Sequence, residues 1–372
     1  MKKLKTLFIL SHILGMSTHS GYVKKAIAAT NLNDYHYMDF TAEDYRNYSK
    51  INPFNIIGKK FEASHCISLK AQSLTEKNYD IIYMNAVDFA FGLSQYTSKA
   101  KTILALDTTD FLSHRLLHQK SPTKINYLKQ KAKELITNQF YRKAFANIDI
   151  FMPLTQWCAD SLIDDYGISK DRIIISAGGI DTKLWKRQRN DGENSKPNLL
   201  FVGNDFFRKG GYFLLEIFEK YLSELCNLLI VSNDPLLNKN TMPCGAKLIK
   251  GINGKNIEKL IDVYNSSDIF TFPTYSEKLG WVLAEAASMH LPLVARDCGG
   301  ISTIVKDGFN GYLMSYNSGH AEWTEAILKL INNKTLLNEF GTNSRILAET
   351  QLSTDILVSD IRKAFRLIGQ NI

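Results

Sequence analysis

The sequence predicts an α/β protein made of two doubly wound, Rossmann-like domains facing a cleft. Three observations carry this. Short apolar runs rich in Ile, Leu and Val alternate with helical stretches along the chain. The alternation stops at a polar segment and then starts again. At 372 residues the chain is too long for one ordinary core. Strands that alternate with helices build parallel sheets, because each parallel pair needs a crossover connection.

The first run, Leu4–Leu10, lies in "MKKLKTLFILSHILGMSTHS". Lysines before an apolar run mimic a secretion signal. However, Ser11 and His12 interrupt the run, and no small-residue cleavage site follows. It reads as a buried first strand. No stretch has the ~20 apolar residues that span a bilayer. Further strands are expected at "YDIIYMN" (79–85), "KTILALD" (101–107), "IDIFMPL" (148–154) and "RIIISAG" (172–178). Helices are expected between them, at 124–146 and 155–166.

"KLWKRQRNDGENSKPN" (183–198) is polar, charged and almost without apolar residues, as a linker is. Strands then resume at "NLLFVGN" (198–204), "NLLIVSN" (227–233), "KLIKG" (247–251), "DIFTFP" (268–273) and "LPLVARD" (291–297). Helices fit at 209–224, 256–265 and 279–289, and two or three more fill 322–370. The expected division is a domain over 1–182, a linker over 183–197, and a domain over 198–350. Residues 351–372 would form a C-terminal helix packing back on the first domain. The five cysteines show neither CxxC spacing nor a histidine at zinc-ligand spacing. They read as reduced thiols of a cytosolic protein, and no metal site is expected.

Ligands of such sheets bind beyond the carboxyl ends of the strands, so chemistry is sought in the loops that follow them. After "DIFTFP" comes "TYSEKLGWVLAE", with Glu277 before a helix start near Gly280 and Glu285 one to two turns inside. A helix N-terminus attracts anions, and a carboxylate accepts hydrogen bonds from vicinal hydroxyls. Two carboxylates flanking an anion site suit a ligand with sugar hydroxyls at both ends and phosphates between. The same residues would also serve as a helix-start charge and a solvated glutamate. In "FVGNDFFRKGGYFLL" (201–215), Gly203 permits a tight turn and Gly210 and Gly211 a close approach. Arg208 and Lys209 beside a helix start would clamp a pyrophosphate, or form a plain basic turn. A third loop, "RDCGGIST" (296–303), holds Gly299 and Gly300.

Together these motifs resemble the retaining glycosyltransferases of family 4, which have the GT-B fold. The E-x7-E signature matches Glu277 and Glu285, the "FVG…KG" block matches 201–211, and 153–185 is similar to the end of the family's first domain. The likeness is strongest over 150–315 and thinner before it. It implies an acceptor-binding first domain and a nucleotide-sugar-binding second one. Glu285 would bind the donor ribose. Glu277 would bind hydroxyls of the transferred sugar, helped by the backbone N–H groups of Lys278, Leu279 and Gly280. Lys209 would neutralise the pyrophosphate. Gly15 would approach the phosphates, with Gly203 and Asn204 beside them, and the base would lie near Gly251 and Ile252. Asn204 stands where the family often has arginine, and Arg208 would replace that charge. His290 stands where the family has glycine, at a helix end that needs positive φ, which histidine tolerates. His19, Asp107, Asp110 and His114 are acceptor-side candidates.

The implied function is retaining, metal-independent transfer of a hexose-type sugar from a UDP- or GDP-sugar, without a cofactor. The acceptor would be a glycan or a lipid-linked molecule of bacterial polysaccharide, lipopolysaccharide or glycolipid synthesis. The alternative is an inactive GT-B domain that binds sugar nucleotides or acts as a scaffold. Residues 111–147 carry eight basic side chains and one acid, Glu134, interleaved with apolar residues. Such a segment reads as a contact with anionic membrane, or as a solvated outer face. The expected location is therefore cytoplasmic, peripheral on the inner membrane face. No nucleic-acid recognition motif is present. Without G-x-G-x-x-G after the first strand, the chain does not read as a nicotinamide oxidoreductase.

Overall fold

A computed structural model describes residues 4–13, 15–44, 67–68, 70, 79–93, 100–117, 137–188, 196–238, 240, 242–252 and 256–369. The chain divides into two compact units. One is Met1–Gly179 with Thr354–Ile372, and the other is Ile180–Ser353.

Among the described residues of the first unit, five parallel strands form a sheet: β1 (Thr6–Ser11), β2 (Tyr35–Phe40), β3 (Ile81–Met84), β4 (Lys101–Leu106) and β5 (Ile150–Pro153). Their order is β2-β1-β3-β4-β5. β1, β3 and β5 are buried at every residue, because helices cover both faces of a parallel sheet. The helix Gln156–Asp164 starts where Thr155 accepts the Cys158 N–H, satisfying one of its free donors. The last helix, Thr354–Leu367, buries Leu357, Ile361, Ala364 and Phe365, an i, i+4, i+7, i+8 stripe. It packs on the helix Gly15–Ala28, and Arg362 donates to the Ala29 carbonyl at 3.4 Å.

The second unit holds six parallel strands among its described residues: β6 (Asn198–Val202), β7 (Asn227–Val231), β8 (Ala246–Ile249), β9 (Ile269–Phe272), β10 (Leu293–Arg296) and β11 (Gly311–Met314). Their order is β11-β10-β9-β6-β7-β8. The order reverses between β6 and β9, and that reversal opens the ligand crevice of an open α/β sheet. The helix after β6, Gly211–Ile217, runs on as a π-helical turn, Phe218–Leu222. Helices Ile257–Asn265, Trp281–Ser288, His320–Ile331 and Lys334–Leu347 complete this unit.

The run 172–178 is not a strand. A 3₁₀ turn at Lys170–Arg172 precedes it, and it makes only two hydrogen bonds to β5, from Ile174 to Phe151 and from Ser176 to Pro153. β2 and β11, which the apolar runs do not announce, each lie at one edge of their sheet, with β5 and β8 at the other edges. Of the expected helix 124–146, only 137–146 lies within the described residues. Most of the basic segment, 118–136, lies outside them. His290 has φ +58° and ends the helix bearing Glu285, so a histidine does occupy a left-handed position there. Among the described residues no helix is long and apolar enough to cross a membrane.

Candidate active site

At the reversal point of the second sheet, the loops after β6 and β9 meet. Gly210 has φ +77°, and a Cβ there would lie 2.1 Å from the Pro273 carbonyl oxygen. Only glycine combines that dihedral with that approach. The approach brings Lys209 to Glu277. The Lys209 ammonium touches Glu277 Oε2 and lies 5.0 Å from the centre of the Phe272 ring. The side chains are 16% and 15% exposed, so water screens the pair poorly and holds neither group apart from the other. Glu277 Oε1 accepts the Lys278 N–H at 3.1 Å. Gly203 lies beneath Lys209: a Cβ there would meet the Lys209 Cγ at 3.1 Å. Gly280, with φ +84°, precedes the helix Trp281–Ser288, as the motif required, and Leu279 is buried beside it.

The loop carrying Glu277 is tied down carbonyl by carbonyl. Arg296 Nε donates to Pro273 O at 3.3 Å, Cys298 Sγ to Thr274 O at 3.6 Å, and Tyr316 Oη to Tyr275 O at 3.4 Å. Arg208 Nη1 donates to Ser276 O at 2.7 Å, and the Gly300 N–H to Lys278 O at 2.9 Å. Gly299 packs on Glu277 O. Arg208 also binds Asp205 through Nε at 2.7 Å. Its guanidinium therefore bridges the two loops, a use the sequence did not suggest.

Glu285 sits inside the helix, with Tyr264 Oη 2.9 Å from its Oε2 and 3.2 Å from the Val282 carbonyl. Burial pushes its carboxyl up from 4.5 to about 7, against the opposing effect of the Tyr264 hydrogen bond. Because the folded pKa is the higher one, this group's contribution to stability is fully present below about pH 4.5. It is lost as pH rises through about 7. We expect Glu285→Gln to lack this loss. Urea unfolding at about pH 5 and about pH 8 should show the variant gaining on the parent at the higher pH. A difference that does not vary with pH would mean that this carboxyl titrates normally.

Asn204, Gly251 and Ile252 come together through Asn233, which sequence reasoning missed. Asn204 Oδ1 accepts the Asn233 N–H at 2.9 Å. Asn233 in turn accepts the Gly251 N–H at 2.8 Å and donates to Ile252 O at 2.6 Å. The side chain continues the β7–β8 pairing beyond the strands. Gly251, with φ +83°, faces open space.

The first-unit candidates are less unified. Gly15 opens the helix Gly15–Ala28. Ser11, Ser20 and Asn85 close a ring of 2.7 Å hydrogen bonds where that sheet's order reverses. His19 is fully buried, and burial lowers its pKa to about 4, so it is a neutral core residue at pH 7. Asp110 is buried at the first residue of the helix Asp110–Leu117, and Asp107 is half-buried after β4. His114 lies on that helix, with its side chain outside the described residues. A pair the sequence did not flag is His12 with Asp39, Nε2 to Oδ1 at 2.7 Å, with Lys24 on the other oxygen at 2.7 Å. Burial raises the Asp39 pKa, but the hydrogen bonds from Lys24 and His12 outweigh it and hold the carboxyl below its ordinary value. Among the described residues no three His, Cys, Asp or Glu side chains gather as a metal site.

Two parallel α/β units with these sheet orders define the GT-B fold. Sucrose-phosphate synthase from Thermosynechococcus elongatus superposes with a TM-score of 0.75, covering 98% of this chain and 99% of its own, at 14% identity. Residues 196–333 match the family model "Glycosyl transferases group 1". Among curated relatives, the D-inositol 3-phosphate glycosyltransferase of Nocardia farcinica is 38% identical over 222 residues, 54% of this chain and 49% of that protein. The capsular polysaccharide biosynthesis glycosyltransferase CapM of Staphylococcus aureus is 25% identical over 202 residues, 51% and 53% of the two chains. The chain thus spans about half the length of these relatives.

Proposed function

We propose that the protein is a retaining, metal-independent glycosyltransferase. It takes a hexose-type sugar from a UDP- or GDP-sugar and gives it to a glycan or lipid-linked acceptor of bacterial polysaccharide, lipopolysaccharide or glycolipid synthesis. The observation that carries the reading is the contact of Lys209 with Glu277 at the strand-order reversal, within the residues that match the group 1 model. The pair is a cation and a hydroxyl acceptor held side by side. A donor would give its pyrophosphate to Lys209 and its sugar hydroxyls to Glu277, and Glu285 would take the ribose. The leaving diphosphate would be stabilised by Lys209 and the backbone N–H groups at 278–280, which need no rearrangement when charge develops. The polysaccharide acceptor is supported by the likeness to the capsular enzyme.

A thermal-shift panel of UDP-, GDP- and ADP-sugars tests the donor, since a specific binder raises the melting temperature by mass action. The same sugars are then assayed for release of the nucleoside diphosphate, with and without EDTA. We expect one nucleotide to shift the melt and its sugar to be cleaved in EDTA. Binding without cleavage under any condition would leave a sugar-nucleotide-binding module. Loss of cleavage in EDTA, restored by magnesium or manganese, would overturn metal independence.

A further inference from the structure

The guanidinium of Arg296 has no place in the donor chemistry above. It closes β10, is 2% exposed and has no carboxylate partner among the described residues. An unpaired buried cation is costly, and burial lowers its pKa. Four rings surround it: Tyr275 at 4.8 Å, Phe213 at 5.0 Å, Trp323 at 5.6 Å and Tyr316 at 5.7 Å from Cζ to ring centre. Their π faces offset part of the cost. Its hydrogen bonds go to the loop after β9 and to Tyr316 after β11. Nε donates to Pro273 O at 3.3 Å, and Nη1 donates to Tyr316 O. Tyr316 passes the restraint on, because its hydroxyl donates to Tyr275 O at 3.4 Å. Nη2 has no partner among the described residues. A group kept for stability alone would be served as well by an apolar side chain of similar volume.

We propose that Arg296 is a positioning residue for the loop 273–278. Clamped in its aromatic cage, it fixes the Pro273 carbonyl directly and the Tyr275 carbonyl through Tyr316, and so sets where Glu277 stands. The effect on loop order is independent of the donor-site reading; the effect on turnover rests on it.

The test compares the full chain with Arg296→Met, which keeps the stem and removes the donors, and Arg296→Lys, which keeps the charge. Hydrogen exchange at the amides of Tyr275–Lys278 should rise about 10-fold or more in Arg296→Met, with β6 and β9 still protected. With the donor found by the panel, kcat should fall about 10²-fold and affinity for the free nucleoside diphosphate should change less than about twofold. Arg296→Lys should lie between. The proposal is overturned if the loop amides exchange as in the parent. It is also overturned if β6 and β9 loosen in step with the loop, which marks a general structural role. If the parent cleaves no nucleotide sugar, the proposed activity fails, while the exchange measurement still decides the role of Arg296.

Discussion

Replacing Lys209 with methionine should lower the rate of nucleotide-sugar cleavage by about 10²- to 10³-fold, the usual loss when one preorganised electrostatic contact to a leaving group is removed. Two features make the loss large. The ammonium is mostly buried, so its field is poorly screened. It is also held on Glu277 and over Phe272, so it need not be ordered when the donor arrives. The substitution leaves Glu277 Oε2 short of its partner, and stability should fall by about 1–3 kcal/mol. Adding Glu277→Gln should restore much of that stability but none of the activity. That split is the decisive measurement, since recovery of turnover in the double variant would show the pair to be structural. Arg208→Ala should cost less in rate than Lys209→Met, because Asp205 and the Ser276 carbonyl already engage its guanidinium. An Arg208→Ala loss as large as that of Lys209→Met would return Arg208 to the clamp that its place near Asn204 suggested.

The inner strands were legible in the sequence because burial on both faces writes a continuous apolar run, as in "TLFILS" and "NLLFV". Two of the outer strands, β2 and β11, were not. β2, "YHYMDF", buries only Met38 and Phe40 and leaves His36 exposed, and β11, "GYLM", is only four residues with one buried. Lys209 and Glu277 were each singled out from their own motifs, but their contact was not expected, since it joins residues 68 apart in the sequence through the strand order. Asn233 left a signal that went unread. "NLLIVSND" at 227–234 repeats "NLLFVGND" at 198–205, and the two runs pair in register from Asn198↔Asn227 to Val202↔Val231. The repeated Asn-Asp ending places Asn233 beside Asn204. Arg296 left no such trace. Its cage draws on residues 213, 275, 316 and 323, which no local pattern connects.

Gly299→Ala should abolish most donor turnover, and the reason is geometric. A Cβ at Gly299 would lie 1.9 Å from the Glu277 carbonyl oxygen and 3.1 Å from its carbon. These are backbone atoms, so no side-chain rotation relieves the contact. The loop must move by an ångström or more, and a displacement of about 1 Å at a reacting group can cost 10²-fold in rate. The backbone there also has φ +57°, which costs an alanine roughly 1–2 kcal/mol by itself. Gly308→Ala separates the two effects. Its φ is +69°, but nothing lies within 4 Å of the added Cβ. Both variants should therefore lose stability through backbone strain, with Gly299→Ala losing more. Only Gly299→Ala should lose turnover. Equal activity in the two variants would mean that the loop carrying Glu277 yields without consequence, and Glu277 would then have no place in the chemistry.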